Sequence, residues 1–195
     1  MLSQKADFNL HDAYEMFDPE NEGCITIQKL KRGFHRLELY PTCDELVLFF
    51  KRYDYREKDA LTAVDFRKVF LSKDTFFASN LKKRSKNRNG FKAETMAVFK
   101  KLIQLHLKHA VANEAVRQRL SRNCHFNALA AFNSVACGMP AINECKFKSF
   151  LDRKGFHCGK EEQRSLVRQL DIDGDGQVGM ADFVEFLRPK CRDLF

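Results

Sequence analysis

The sequence predicts an all-α protein built as two small helical lobes joined by a long basic amphipathic helix. Three observations predict it. Apolar residues recur at helical spacing in short segments, which alternate with polar loops of about a dozen residues, and little of the chain alternates as a long strand would. The segments carry four copies of one pattern, two towards each end, and repeats that cannot bury an apolar face alone are expected to pair. Charge is segregated as well. Residues 1–71 carry net −2, residues 72–123 net +10 and residues 124–195 net 0, so the whole excess of +8 lies in the middle.

The composition bounds the reading. The chain has 195 residues, 44% hydrophobic and 31% charged, which is ordinary for a globular protein and argues against wholesale disorder. Only 4 Pro and 9 Gly exclude collagen-like and low-complexity classes, and 19 Phe with no Trp give the core an aromatic bias. A basic balance points to an acidic partner: nucleic acid, anionic lipid or an acidic protein polymer. The N-terminal residues hold no apolar signal core, so secretion is not expected. The longest strongly apolar run, Leu46 to Phe50, is far short of the roughly 20 residues that span a bilayer. The 7 cysteines are odd in number and none pair as C-x-x-C, so they read as reduced thiols in a cytosolic-type compartment.

The N-terminal lobe is expected over residues 1–71. Its helical segments are marked by Tyr14 and Phe17, Leu30 and Phe34, Phe50 and Tyr53, and Phe66, Val69 and Phe70. A connector follows over 72–123. Its first part, 72–90, is polar, ends in a turn signal and reads as loop, with the basic run Lys82, Lys83, Arg84, Lys86 and Arg88. Its second part, 91–122, lacks Pro and Gly and is rich in helix formers. Met96, Phe99, Ile103, Leu107, Val111, Ala115 and Leu120 recur near helical period, Asn89 is placed to cap the start, and Lys100, Lys101, Lys108, Arg117 and Arg119 enrich the polar side. This helix is either an open bridge or is clasped by a lobe of its own chain. The C-terminal lobe is expected over 124–195.

One loop carries legible chemistry. Asp171, Asp173 and Asp175 sit at every second residue, Gly176 permits a sharp turn, Val178 is apolar and Asp182 closes the run. Val167 and Leu170 precede it, and Phe183, Phe186 and Leu187 follow on one helix face. The stretch Asp171 to Asp182 resembles the twelve-residue calcium loop of the EF-hand family, in which alternating oxygens converge on a hard divalent cation. The resemblance implies side-chain ligands at Asp171, Asp173, Asp175 and Asp182, and the backbone carbonyl of Gln177 at the seventh position. The closing residue of the family is usually Glu, which grips calcium with both oxygens. Asp182 is a methylene shorter, which lowers coordination and favours weak Ca2+ or Mg2+ binding.

Three other copies have lost ligands. In Asp18 to Lys29, Gly23 and Ile25 keep their places, but Lys29 puts a cation where the closing carboxylate belongs and is positioned to pair with Asp18 or Glu22. In Asp54 to Asp65, Arg56 and Lys58 replace ligands and Asp59 replaces the turn glycine. The copy between Phe132 and Phe147 is one residue short and carries Cys137, Gly138, Met139 and Pro140 where oxygens are needed, although Ile142 keeps the apolar pairing place. The set is similar to the calmodulin and centrin superfamily over about two thirds of the chain, and it implies two EF-hand pairs.

Other constellations are weak. Cys137, Cys145, His157 and Cys158 lack zinc-ligand spacing, and His106 and His109 read as a solvated helix face. No nucleophile elbow, phosphate loop or H-E-x-x-H pattern is present, so an enzyme is not expected. Ser85 follows a basic run and reads as a phosphorylation candidate. The resulting expectation is a non-enzymatic adaptor on an acidic cytoskeletal polymer such as the microtubule (tubulin), in the cytoplasm and, by family analogy, in a ciliary axoneme or centriole. The alternative is a Ca2+/Mg2+-responsive sensor that binds target helices through its C-terminal lobe.

Overall fold

The computed structural model describes residues 2–54, 58–72, 75–87, 90–172 and 174–191. The fold is all-α. Among the described residues the helices are α1 (Leu10–Glu15), α2 (Ile27–Arg36), α3 (Cys43–Tyr53), α4 (Ala63–Phe70), α5 (Thr75–Lys83), α6 (Ala93–Arg122), α7 (Ala128–Ala136), α8 (Glu144–Arg153), α9 (Lys160–Leu170) and α10 (Met180–Leu187). Two short strands, β1 (Cys24–Ile25) and β2 (Leu61–Thr62), and a 3-10 turn over Leu2–Gln4 complete the described elements. No helix among these residues is long and apolar enough to cross a membrane. The chain divides into two compact units, Met1–Ala115 with Lys190–Phe195, and Val116–Pro189.

Local chemistry explains where the helices begin. Four start from one device, in which an apolar pairing residue is followed directly by the helix N-cap. Ile25 precedes Thr26, Leu61 precedes Thr62, Ile142 precedes Asn143 and Val178 precedes Gly179. The Thr and Asn side chains accept the N–H three residues on, which satisfies one of the orphan donors of the first turn. Elsewhere Thr42 and Glu45 form a reciprocal capping box at the start of α3. The residues just before the caps pair across units of helix–loop–helix: β1 and β2 run antiparallel with Ile25 opposite Leu61, and Ile142 bridges Val178. All four are fully buried, so each pairing is also a core contact.

The core of the first unit is aromatic. Phe17 packs edge-on to Phe34, Phe34 edge-on to Phe49, and Phe66 lies against Phe17 and Phe70. Residues of the expected connector complete it. Leu81 of α5 and Phe99, Ile103 and Leu107 of α6 are buried in the same cluster, and the ring of Phe99 lies 5.0 Å from that of Phe70. The four-residue spacing of Phe99, Ile103 and Leu107 thus places one stripe of α6 in the core of its own unit, with Phe99 against Phe70 of α4 and the neighbouring His106 against Phe49 and Tyr53 of α3. The predicted helix over 91–122 is observed as α6. The expected loop over 72–90 is corrected: it contains α5, because Leu81 is buried and anchors the segment. Asn89, the expected cap of α6, lies outside the described residues, as do Arg56, Arg88 and Asp173.

The second unit has a smaller core of Phe132, Val135, Ala136, Ile142, Val167, Leu170, Val178 and Phe183, with Phe147, Phe150 and Phe186 partly buried against it. Within it Arg117 donates to the Phe186 carbonyl at 2.7 Å and lies over the Phe186 ring.

Close packing in the first unit makes a sign-reversed prediction. A Cβ built on Gly33 of α2 would lie 2.2 Å from the Phe17 ring, which is buried and has nowhere to go. Glycine to alanine inside a helix ordinarily stabilises by about 0.5–1 kcal/mol. Here Gly33→Ala is expected to destabilise by about 1–3 kcal/mol from overpacking, read as a lower urea midpoint at unchanged slope. A raised midpoint contradicts the packing described.

Candidate functional site

Each of the four loops has a carboxylate or an ammonium at its closing position, the third residue of the helix that follows. In loop 171–182 the Asp171 carboxylate accepts the N–H groups of Gly174 at 2.7 Å and Gly176 at 3.0 Å. Gly174 and Gly176 have φ of 82° and 88°, a left-handed backbone that lets the chain fold around that carboxylate. Asp175 accepts the N–H of Gln177 at 2.7 Å. Asp182, nearly buried, accepts Gly179 N–H at 3.0 Å and Ile172 N–H at 3.3 Å, so it ties the end of the loop to its start. Asp175 and Gln177 are exposed, and Asp173 is not among the described residues. The donor set of Asp171, Asp175 and Asp182 with the Gln177 carbonyl is all oxygen and anionic, and its chemistry fits a hard divalent cation. Each oxygen of Asp182 already accepts one N–H, which reduces what this short closing residue has left for an ion.

Loop 18–29 holds a cation of its own. The Lys29 ammonium lies 2.6 Å from Asp18 Oδ1, 2.6 Å from Glu22 Oε2 and 3.2 Å from the Cys24 carbonyl oxygen. Those three oxygens come from the first, fifth and seventh loop positions. They are the places that a loop of this kind turns towards a metal ion. The three N–H bonds of an ammonium can each take one of them. Hydrogen bonds donated to Asp18 and then to Glu22 hold the Lys29 pKa above the ordinary lysine range. Burial pushes the Asp18 carboxyl up, but the Lys29 ammonium and the N–H groups of Gly23 and Glu22 outweigh it and leave the pKa below its usual value.

The same backbone wrapping recurs in loop 54–65. Asp54 accepts Lys58 N–H at 3.1 Å and Asp59 N–H at 2.8 Å, with Asp59 at φ 53° in the place of a glycine. Asp65 closes it onto the Thr62 N–H at 3.1 Å and hydroxyl at 2.6 Å. In the short loop before α8, Lys146 occupies the closing position and donates to the Ala141 carbonyl at 3.0 Å, as Lys29 does to Cys24. The first loop of each pair therefore closes with lysine and the second with aspartate. Lys146 was not read from the sequence. The signal was there: a lysine stands four residues after the pairing residue in both Ile25 to Lys29 and Ile142 to Lys146.

The basic segment divides by role. Lys82 and Lys83 are exposed in the last turn of α5. Arg84 is turned inward, its guanidinium donating to the carbonyls of Ser3 at 2.9 Å, Lys5 at 2.6 Å and Phe8 at 2.8 Å. Lys86 is exposed and pairs with Glu15 at 2.6 Å. Arg88 is not among the described residues. His106 Nδ1 lies 2.6 Å from the Tyr53 hydroxyl, a partner that the spacing of His106 and His109 does not reveal. His11, Asp12 and Glu15 bring potential ligand atoms within 4.8 Å of one another, but Glu15 is held by Lys86, and Asp12 accepts from Asn9 and Asn87. No family model matches this chain.

Proposed function

We propose that the protein is a non-enzymatic structural adaptor made of two EF-hand pairs, whose shape is held by aromatic packing and internal lysine cations, and which docks on an acidic protein assembly. The observation that carries this reading is the Lys29 ammonium among Asp18, Glu22 and the Cys24 carbonyl. A loop whose ion is a covalent part of the chain cannot be switched by calcium. Burial of Phe99, Ile103 and Leu107 against the first helix–loop–helix pair supports the same reading, since the face on which such a pair would seat a target helix is taken by its own chain. The partner is an acidic cytoskeletal polymer such as the microtubule, met by the exposed cations of the basic segment, and a ciliary or centriolar location belongs to this proposal by analogy with the family.

A second reading rests on loop 171–182. Its oxygen donors would hold one weak Ca2+ or Mg2+ through Asp171, Asp173, Asp175, Asp182 and the Gln177 carbonyl, making the second unit a sensor. One retained loop among four gives little differential affinity with which to drive a switch.

Docking is tested by co-sedimentation with stabilised microtubules. Lys82→Gln with Lys83→Gln is expected to weaken attachment severalfold at low salt and to flatten its salt dependence without changing the melting temperature. Unchanged co-sedimentation removes these side chains from the interface. Arg84 is left out of that variant because its guanidinium is committed within the fold.

A further inference from the structure

We propose that Ser85 is a phosphorylation site with a ready-made phosphate cradle, and that its modification regulates docking through the basic segment; this second part rests on the function proposed above. Ser85 is exposed, and residues 84–87 form neither helix nor strand, so the hydroxyl is presented on irregular chain just after α5. The three residues before it are Lys82, Lys83 and Arg84, the arrangement that a kinase with an acidic substrate groove selects. Arg84 is pinned to three backbone carbonyls, which fixes the chain next to Ser85 rather than leaving it to wander.

Ser85 also lines an open hollow of about 410 Å3 together with Asp7, Asn9, Lys83, Arg84, Lys86 and Asn87; the Asp7 carboxylate there already accepts the Lys92 N–H and the Thr95 hydroxyl. In the reaction Ser85 Oγ forms a bond to the γ-phosphorus of ATP, the bond from that phosphorus to the ADP oxygen breaks, and the hydroxyl proton passes to the base of the kinase. The product carries about −1.5 to −2 charge and three acceptor oxygens. Lys83 and Lys86 are the lysines that line the same hollow, and Lys86 would exchange Glu15 for the stronger anion. Up to half of the charge of Lys82, Lys83, Arg84 and Lys86 is thereby cancelled where an acidic partner would meet it.

The full chain is incubated with ATP and the catalytic subunit of a basic-directed serine kinase, and the site is read by mass spectrometry. A single phosphate at Ser85, lost in Ser85→Ala, is expected; labelling only elsewhere overturns the proposal. Phosphorus NMR then reads the second ionisation of the phosphate, ordinarily near pH 6, which the cradle is expected to lower by about half a unit and which Lys83→Gln with Lys86→Gln should restore. An ordinary value that the double variant leaves unmoved overturns the cradle. Microtubule co-sedimentation of the phosphorylated chain is expected to weaken at least about fivefold at low salt. If the unmodified chain fails to sediment, the docking reading falls and the site and its cradle stand; if it sediments and phosphorylation changes nothing, the regulatory inference falls and the docking reading stands.

Discussion

Replacing Lys29 with glutamate is expected to turn loop 18–29 into a divalent-cation site. The variant removes the internal ammonium and supplies the closing carboxylate that can grip calcium with both oxygens. Asp18, Glu22 and the Cys24 carbonyl already converge there, as their distances to the Lys29 ammonium show. Without metal, three carboxylates would face one another with no cation among them, so Lys29→Glu should melt well below the parent in chelator. With calcium it should recover, by about 2.7 kcal/mol at a hundredfold excess over Kd. A calorimetric Kd near or below about 10⁻⁵ M is expected, in the range of sensor loops. A variant that melts like the parent and takes up no calcium would show that the ammonium does not stand where a metal belongs.

The pH dependence of Lys29→Met tests the same ammonium. Asp18 has a depressed pKa in the fold, so its stabilising contribution is present above the unfolded carboxylate value and is lost as pH falls through the folded one. Lys29 has a raised pKa, so its contribution is present below the unfolded lysine value and is lost as pH rises through the folded one. The pair therefore stabilises between about pH 4 and pH 10. In Lys29→Met the Asp18 carboxylate keeps its burial and loses its partner, so protonation relieves it. The gap in melting temperature between parent and variant should be wide at neutral pH and close as pH falls through the depressed Asp18 value. A gap that is independent of pH contradicts the ion pair.

Arg84→Gln is expected to have the other large effect, a loss of about 2–4 kcal/mol, because hydrogen bonds to a charged donor contribute about 1.5–3 kcal/mol each and are not additive. The guanidinium gathers the carbonyls of Ser3, Lys5 and Phe8, and Phe8 is fully buried against Phe91 and Phe99. Loss of the fork should free that segment, read as faster amide exchange around Phe8 together with a lower urea midpoint. Arg84→Lys keeps the charge but cannot fork onto three acceptors, and it should recover little. Full recovery by lysine would mean that charge alone is needed at this position.

Much of the fold was legible because its determinants are local. The pairing residues Ile25, Leu61, Ile142 and Val178, and the aromatic residues on either side of each loop, occur at fixed spacing and the structure uses them as spaced. The long helix was legible from an unbroken apolar stripe. Its seat was not, since Phe99, Ile103 and Leu107 announce a face but not the surface that receives it, and that surface is assembled from α3 and α4 far earlier in the chain. The helix α5 was missed because its polar, basic end outweighs the single buried Leu81. Of the candidate site, the pairing of Lys29 with Asp18 and Glu22 followed from like and unlike charges within one loop. The inward turn of Arg84 did not, because its acceptors are backbone carbonyls near the N-terminus, and carbonyls leave no mark in a sequence. Lys146 escaped for a related reason: its acceptor is the Ala141 carbonyl, not a carboxylate.

Circular dichroism of the full chain in strong chelator, followed through thermal unfolding and repeated with millimolar calcium and with magnesium, tests most directly whether packing and built-in cations hold these helix pairs. Equal helicity and a cooperative melt in all three conditions are predicted, with at most a small shift from loop 171–182. A chain that loses its helices in chelator and regains them with calcium would contradict the account.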